Sequence, residues 1–393
     1  MEKSVDGIGI EQGDIRSDLQ AMLRGAVRAS LEIVLEEELK DLVGADWYAR
    51  VNGRKDYRNG RYVRRLLTGL GQIDVAVPRS RSGAVGQEVL GRYQRRSGEI
   101  DAMVTSAYVH GVSQRKMGEV TEALLGERVS RSTVSRVAKR LEIGVEDLKR
   151  APIDGAHPYV YLDATFIDAR WARTVENVSA LVAYAVGPDG YRHLLAVTLG
   201  AEESEASWSD LLEQLVDRGL SGVELFISDE HSGLKAALRR WFPEVPRQRC
   251  TVHLERNVLT KAPQRLRGRL ARDIAALFNA TGLTEGKKRL AQVMGRWQKD
   301  LPEAMACLAA GFTAATTFYQ FPKAHWRRIR TTNSLERLHR EIKRRTKAVG
   351  AFPDRASALR LITAVALHAT AIWGDRRYLD VSLLEKQEVD QAA

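Results

Sequence analysis

The chain has 393 residues, enough for two or three domains with separate cores. Its 44% hydrophobic and 28% charged residues are ordinary for a soluble globular protein, and its two cysteines, Cys250 and Cys307, exclude a disulfide framework and fit a reducing cytosol. Sixty-one basic against 50 acidic residues leave a net charge of +11, a surplus that points to a polyanionic partner, most simply nucleic acid. A membrane surface is the competing polyanion, but no basic amphipathic helix with a strong aromatic face stands out. The opening "MEKSVDGIGIEQGD" has no apolar core for a signal peptide, and "LITAVALHATAIW" at 361–373 is too short to span a bilayer. No membrane association is expected.

Residues 15–45 read as helix, with Leu19, Met22, Leu23 and Val27 on one stripe. The basic, Gly- and Asn-rich stretch 51–65 reads as loop. "YVRRLLTGLGQIDVAVPRSRSG" then reads as a hairpin around the Gly69–Gly71 turn, stopped by Pro78. From 97 to 142 the pattern is helical in three pieces, the first two closed by glycine and the third capped by Ser130. Two short helices, a turn near Gly126 and a third helix with small polar and basic residues resemble a helix-turn-helix. Arg131, Ser132, Thr133 and Arg136 are residue types that reach phosphates or base edges in a major groove. The plainer alternative is a helical bundle with a solvated charged face.

After Pro152 three β-rich runs follow, 159–170, 177–187 and 191–200, the last two joined by a Pro-Asp-Gly turn. A helix capped by Ser204 or Ser207, a short apolar strand at 222–233 and a helix at 234–241 come next. Three antiparallel strands, a helix, a parallel strand and another helix are the order of a ribonuclease-H-like domain. From about 255 to 325 the chain reads as helix throughout, an all-helical insert, before a helix containing Glu336. The expected class is α/β, a ribonuclease-H-like core interrupted by that insert and preceded by a mainly helical DNA-binding region. The expected divisions are 1–50 (helical, a possible dimerisation element), 51–95 (basic loop and hairpin) and 96–150 (helix-turn-helix). The core's first part is expected over 151–254, the insert over 255–325, and the core's last part over 326–393.

Three carboxylates carry the chemistry. Asp163 lies in the apolar strand Tyr159-Val160-Tyr161-Leu162, where an unpaired carboxylate costs several kcal/mol and is kept when paired or cation-bound. Asp168, an odd number of residues away, faces the other side of the strand. Asp229 stands at the carboxyl end of the strand preceding it, and two such strands side by side in parallel would bring Asp163 and Asp229 to one crevice. Between Lys323 and Lys347 there are ten Lys or Arg and only two acids, Glu336 and Glu341. Glu336 falls three residues after Asn333 and could serve its helix start, with Arg340 one turn on as a partner. Asp229 could likewise cap a helix, and Asp163 could pair with a buried arginine. Converging, the three acids would bind two magnesium ions, with manganese expected to substitute. Arg328, Arg330, Arg340, Lys343 and Arg344 would hold phosphates, together with Arg327 and Arg345.

The stretches "YLDATF", "SEASWSDLLEQLVDRGL", "FISDEHSGLKAAL", "RQRCTVHLERNV" and "TTNSLERLHREIKRRTKAVGAFP", in this order, resemble the Mutator-like transposases of bacterial insertion sequences across nearly the whole chain. The resemblance implies an Asp-Asp-Glu metal site at Asp163, Asp229 and Glu336, and an N-terminal region that binds terminal inverted repeats. It also implies that Trp208 stacks an unpaired base, although a tryptophan packing an amphipathic helix onto the sheet is the alternative. Cys250 and His253 match a Cys-x-x-His signature and are read as supporting Asp229 and the insert's entry, with Arg249 and Arg256 free for phosphate. The expected activity is cleavage and strand transfer of double-stranded DNA, at the element's repeats and in target DNA, by a homodimer in the bacterial cytoplasm at the nucleoid. The alternatives are a non-catalytic DNA-binding regulator and a structure-selective nuclease of the same fold.

Overall fold

A computed structural model describes residues 12–49, 51–82, 90–91, 94–171, 174–200 and 202–384; the opening segment read for a signal peptide lies outside these up to residue 11. The chain divides into two compact units, Met1–Ala138 and Lys139–Ala393.

In the first unit α1 (Gln12–Val43) packs on a two-stranded antiparallel hairpin of β1 (Arg58–Thr68) and β2 (Gly71–Ser80). Ile73, Val75 and Val77 alternate inward along β2 and bury against Leu35, Leu66 and Leu90, the period of two that a one-faced strand requires. Glu32 on α1 accepts a hydrogen bond from the Ala76 N–H at 2.9 Å, so the helix also satisfies part of the hairpin backbone. The strands run further than expected at both ends. β1 begins at Arg58, inside the stretch read as loop, and Pro78 lies within β2 opposite Arg61 rather than ending it. A proline is tolerated there because a two-stranded sheet has only edge strands. Of the expected α1 stripe only Val27 reaches the core; Leu19, Met22 and Leu23 remain exposed.

Three helices follow, α2 (Gly98–Val109), α3 (Gln114–Leu125) and α4 (Arg131–Lys139), around Ile100, Val104, Met117, Val134 and Val137. The punctuation matches the sequence. Gly126 ends α3 in the left-handed region at φ 69°, and Ser130 accepts the Thr133 N–H at 3.3 Å to start α4.

The second unit is a mixed α/β structure. It opens with α5 (Glu142–Arg150). Its sheet has β3 (Tyr159–Trp171), β4 (Thr174–Val186), β5 (Arg192–Gly200), β6 (Leu225–Ser228) and β7 (Arg247–Arg249), in the order β5-β4-β3-β6-β7. β3 and β4 pair antiparallel, as do β4 and β5; β6 runs parallel to β3 and β7 parallel to β6. Helices α6 (Glu205–Asp217) and α7 (Ser232–Trp241) flank β6 in sequence and cover one face. There Val160, Leu162, Leu181 and Ala183 meet Trp208, Leu211, Leu215 and Leu234.

The opposite face is aromatic. Tyr161 and Tyr184, partners across β3 and β4, stack with ring centroids 4.3 Å apart. The Tyr159 hydroxyl meets His325 Nδ1 at 2.8 Å, Tyr161 donates to the Arg328 carbonyl at 3.3 Å, and Tyr184 bonds Ser334. Buried hydroxyls of this kind fix which backbone segments lie on the sheet.

From β7 the chain runs through α8 (Thr251–Thr260), α9 (Gln264–Phe278), α10 (Leu283–Trp297) and α11 (Pro302–Ala315), which share a core of Leu254, Val258, Ile274, Met305, Leu308 and Phe312. The short α12 (Trp326–Ile329) leads into α13 (Asn333–Val349) and α14 (Arg355–Thr370). Arg355–Asp375 is long and apolar enough, by length and composition, to cross a membrane. Here Leu361, Ile362 and Val365 are buried, and α14 packs one face on α13, α5 and β5.

Candidate active site

Three backbone segments are tied together before any acid is placed. The Cys250 N–H donates to the Ser228 carbonyl at 2.8 Å, linking the ends of β6 and β7. The buried Cys250 Sγ accepts the Thr332 N–H at 3.4 Å, and the Thr251 N–H donates to the Arg330 carbonyl at 3.0 Å. Asp229 follows Ser228 directly, His253 is three residues past Cys250, and Glu336 is one turn past Thr332. The hub therefore aims all three side chains into one region.

Asp163 arrives from β3. Tyr161 pairs with Ile227 in the parallel register, and the same offset carries Asp163 level with Asp229. Its odd parity puts it on the tyrosine face, toward α13, where His339 Nδ1 lies 3.4 Å from its Oδ2. Asp163, Asp229 and Glu336 line one cleft of 660 Å³, together with Glu203, His231, His253, Arg256 and the α13 residues His339, Arg340 and Lys343. Positions 336, 339, 340 and 343 share a helix face by their three- and four-residue spacing.

Glu336 does not cap its helix. Thr332 is the N-cap residue and no side chain bonds the free N–H groups there; Asn333 is already helical. The carboxylate instead reaches Arg256 on α8, Oε1 to Nη1 at 2.7 Å, and not Arg340. Asp229 does not cap α7 either: His231 is the N-cap residue, and Asp229 Oδ1 accepts the Glu230 N–H at 2.6 Å.

His253 stands between two of the acids, 3.9 Å from Asp229 and 3.5 Å from Glu336. Burial works against its charged form but is outweighed by the adjacent Cys250 thiol and by Asp229 and Asp163, which raise its pKa to about 9. Glu230 also lines the cleft, but its carboxylate is taken up by Lys235 and Arg247 at 2.6 Å each. Burial alone would raise its pKa; these two cations hold it below the usual carboxylate value.

Glu203, in the loop before α6, is the acid that the sequence did not reveal. It lies 3.6 Å from His231. Burial raises its pKa, and Asp163 and Asp229 add to this, so it shares the field of both. Trp208 directs its indole N–H toward Glu203 without completing a hydrogen bond, an effect that favours the charged form. No periodicity marks a loop acid. His339 was missed as well, although its place three residues after Glu336 on the same helix face could have marked it.

The donors suit a hard divalent cation. All are carboxylate oxygens, and each acid already faces a protein cation or imidazole. Glu336 Oε1 is buried without a hydrogen bond of good geometry, with only the charge of Arg256 and the His253 ring before it. Among the described residues no three His, Cys, Asp or Glu side chains close to the spacing of a single metal cage. Magnesium does not need one: it takes one or two carboxylates, completing its shell with water and phosphate oxygens.

The basic residues sort differently from their expected roles. Arg256, Arg340 and Lys343 line the cleft, and Arg328 is exposed beside Tyr378 in a neighbouring pocket. Arg344 is exposed and paired with Glu341 at 2.6 Å. Arg249 is buried on β7 near Glu230, Arg330 is committed to the Phe278 carbonyl and Asn279, and Arg345 is buried against Glu341. Arg249 and Arg345 are thus withdrawn from solvent, and Arg330 is half-buried with its Nη1 spent on these two acceptors. Trp208 is fully buried in the core under α6, so no ring face is left for a base. In the first unit Arg131, Ser132 and Arg136 are exposed on α4, whereas Thr133 is buried and bonded to Ser130.

Comparison with known proteins places the chain in a family. Residues 3–375 match the model of the family described as "Transposase, Mutator family". The chain is 35% identical over 367 residues to the transposase of insertion sequence element ISRM5 from Rhizobium meliloti, covering 93% of this chain and 92% of that one. It is 34% identical over 352 residues to the transposase of IS256 in transposon Tn4001 from Staphylococcus aureus, covering 88% and 90%. The transposase of IS1081 from Mycobacterium tuberculosis is 34% identical over 369 residues, covering 93% and 89%. With nearly the whole chain inside that span, the chain belongs to the Mutator family of transposases.

Proposed function

We propose that the chain is the transposase of an insertion sequence, which binds the element's terminal inverted repeats, cleaves at its ends and joins the freed 3′-hydroxyl to target DNA. The observation that carries the proposal is the single cleft in which Asp163, Asp229 and Glu336 meet under a basic rim. The strand order of the second unit supports a ribonuclease-H-like core, with α8–α11 as the helical insert before the Glu helix. The helices α2–α4 support a helix-turn-helix in which Arg131, Ser132 and Arg136 face DNA. A dimer on DNA follows from the need to hold two ends at once.

Asp163, Asp229 and Glu336 would hold two magnesium ions, with manganese as substitute. Bound there, they supply activation of a water or 3′-hydroxyl and stabilisation of the leaving oxygen at phosphorus. The remaining work belongs to this chain's own groups. Arg340 and Lys343 lie one and two turns past Glu336, where they would grip the phosphates flanking the scissile bond. Arg256 would release Glu336 and turn to phosphate as DNA enters. His339 orients Asp163, and His253 spaces Asp229 from Glu336.

The test is strand cleavage of a duplex carrying the terminal repeat that flanks the protein's own gene, against a scrambled duplex. Repeat-specific cleavage in magnesium or manganese, lost in calcium, is the expected result. Binding to the repeat without cleavage in either ion would make the chain a DNA-binding regulator, and cleavage indifferent to sequence would make it a structure-selective nuclease.

A further inference from the structure

The first unit contains a larger cleft, of 1040 Å³, between the hairpin and the start of α4. Its lining is strongly biased in charge. Among the described residues, seven arginines, at 64, 65, 79, 81, 95, 96 and 128, surround it with a single acid, Glu127. Three of the seven are at least partly neutralised: Arg96 by Asp101 at 3.0 Å, Arg128 by Glu122 at 3.0 Å, and Arg65 more loosely by Asp74 at 3.8 Å. Arg64 donates to the Gly91 carbonyl. Arg79, Arg81 and Arg95 are exposed and have no carboxylate partner among the described residues.

Two of these three are pre-positioned. The Arg79 guanidinium lies 4.5 Å from the centroid of the Tyr62 ring, and that of Arg81 lies 5.1 Å from the Tyr57 ring. Stacking on an aromatic ring limits the rotamers of a long side chain while leaving its N–H donors free, so less entropy is lost when an anion arrives. Arg79 and Arg81 are also two residues apart along extended chain, roughly 7 Å. That is comparable with the step between phosphates along a nucleic-acid strand. Opposite them the cleft ends at Ser130 and Thr133, the start of α4, whose Arg131, Ser132 and Arg136 are exposed.

We propose that this cleft seats the sugar-phosphate backbone of double-stranded DNA, with Arg79, Arg81 and Arg95 as phosphate contacts that set the register in which α4 meets the base edges. The inference rests on the DNA-binding reading given above and adds to it a second, sequence-independent grip. Phosphate contacts position a protein without reading sequence, so removing them weakens all duplexes alike and flattens the salt dependence by about 0.9 per lost contact.

The experiment compares the full-length chain with the triple variant Arg79→Gln, Arg81→Gln, Arg95→Gln, and with the same three positions changed to lysine. Binding is followed by fluorescence anisotropy on a repeat-bearing and a scrambled duplex across a range of salt, with circular dichroism to verify folding. The glutamine variant is expected to lose about tenfold or more on both duplexes, and its log K against log salt slope should fall by about 2–3. The lysine variant should recover most of the slope. Wild-type affinity and slope in a folded glutamine variant would overturn the cleft assignment alone. Failure of the wild type to bind either duplex would overturn the DNA-binding reading and the cleft with it. Loss confined to the repeat duplex would overturn the backbone role by showing base readout.

Discussion

Arg256 holds Glu336 at 2.7 Å with more than half of its own side chain in solvent. An ion pair with one partner so exposed contributes at most about 1 kcal/mol, so a divalent cation or a phosphate can displace it at little cost. The pairing explains a carboxylate in a helix where basic residues dominate, and the helix-start explanation open to the sequence does not hold. A local pattern shows that an acid lies three residues from a possible cap; it cannot show that α8 brings an arginine across from another part of the chain. Asp163 and Asp229 were more legible, because strand parity and a parallel register depend on short-range rules. Trp208 was not, since an aromatic at an amphipathic position looks the same whether it packs or binds. Glu203 was invisible for want of periodicity, and it carries a prediction. Glu203→Gln should leave repeat binding unchanged while lowering cleavage by about 10–100-fold and raising the magnesium needed, as supporting groups around metal ligands do. Wild-type cleavage by this variant at limiting magnesium would show that Glu203 is outside the machinery.

The elements explain why these side chains meet. β6 has only four residues and β7 three, and β7 is Arg-Gln-Arg, with no hydrophobic pattern to announce a strand. It exists because β6 offers it a parallel edge and Gln248 bonds the Ala315 carbonyl and the Phe318 N–H beyond. Gly233 is a small residue with a large positional role. A Cβ there would fall 2.7 Å from backbone atoms of Ser204 and Glu205, so glycine lets the start of α7 approach the start of α6 and keeps His231 near Glu203.

His325 ties the tyrosine face to the C-terminal segment, meeting the Tyr159 hydroxyl at Nδ1 and the Asp380 carbonyl at Nε2, 2.9 Å away. Burial depresses its pKa below the ordinary imidazole value, with the Asp380 contacts opposing. The unfolded chain then takes up a proton near pH 6.5 while the folded chain resists. The stability held by the neutral ring is therefore full above that pH and is lost as pH falls through the lowered folded value. His325→Gln, compared with wild type by urea denaturation between pH 7.5 and 5, should be less stable at the upper end and show a shallower decline. Parallel declines would remove His325 as a source of the pH dependence.

At the scale of the whole molecule, the net charge of +11 resolves into specific places: the rim of the acidic cleft in the second unit and the arginine cleft in the first. Composition could announce a polyanionic partner but not its seats, because several basic residues turn out to be buried or already hydrogen-bonded within the chain, Arg249, Arg330 and Arg345 among them. The order of strands and helices in the second unit was largely legible, since each element has its own periodicity and punctuation. The hairpin's extent was not, because basic residues and a proline disguise an edge strand. The most direct measurement is cleavage of the repeat duplex in magnesium by Glu336→Gln beside wild type, with binding measured on the same duplex. Glutamine keeps the volume and a hydrogen-bonding oxygen but loses the charge that a divalent cation requires. Cleavage reduced by about a hundredfold or more, with repeat affinity retained, is the predicted result. Wild-type cleavage by the variant would show that Glu336 serves only its ion pair with Arg256 and that the third acid of the site lies elsewhere.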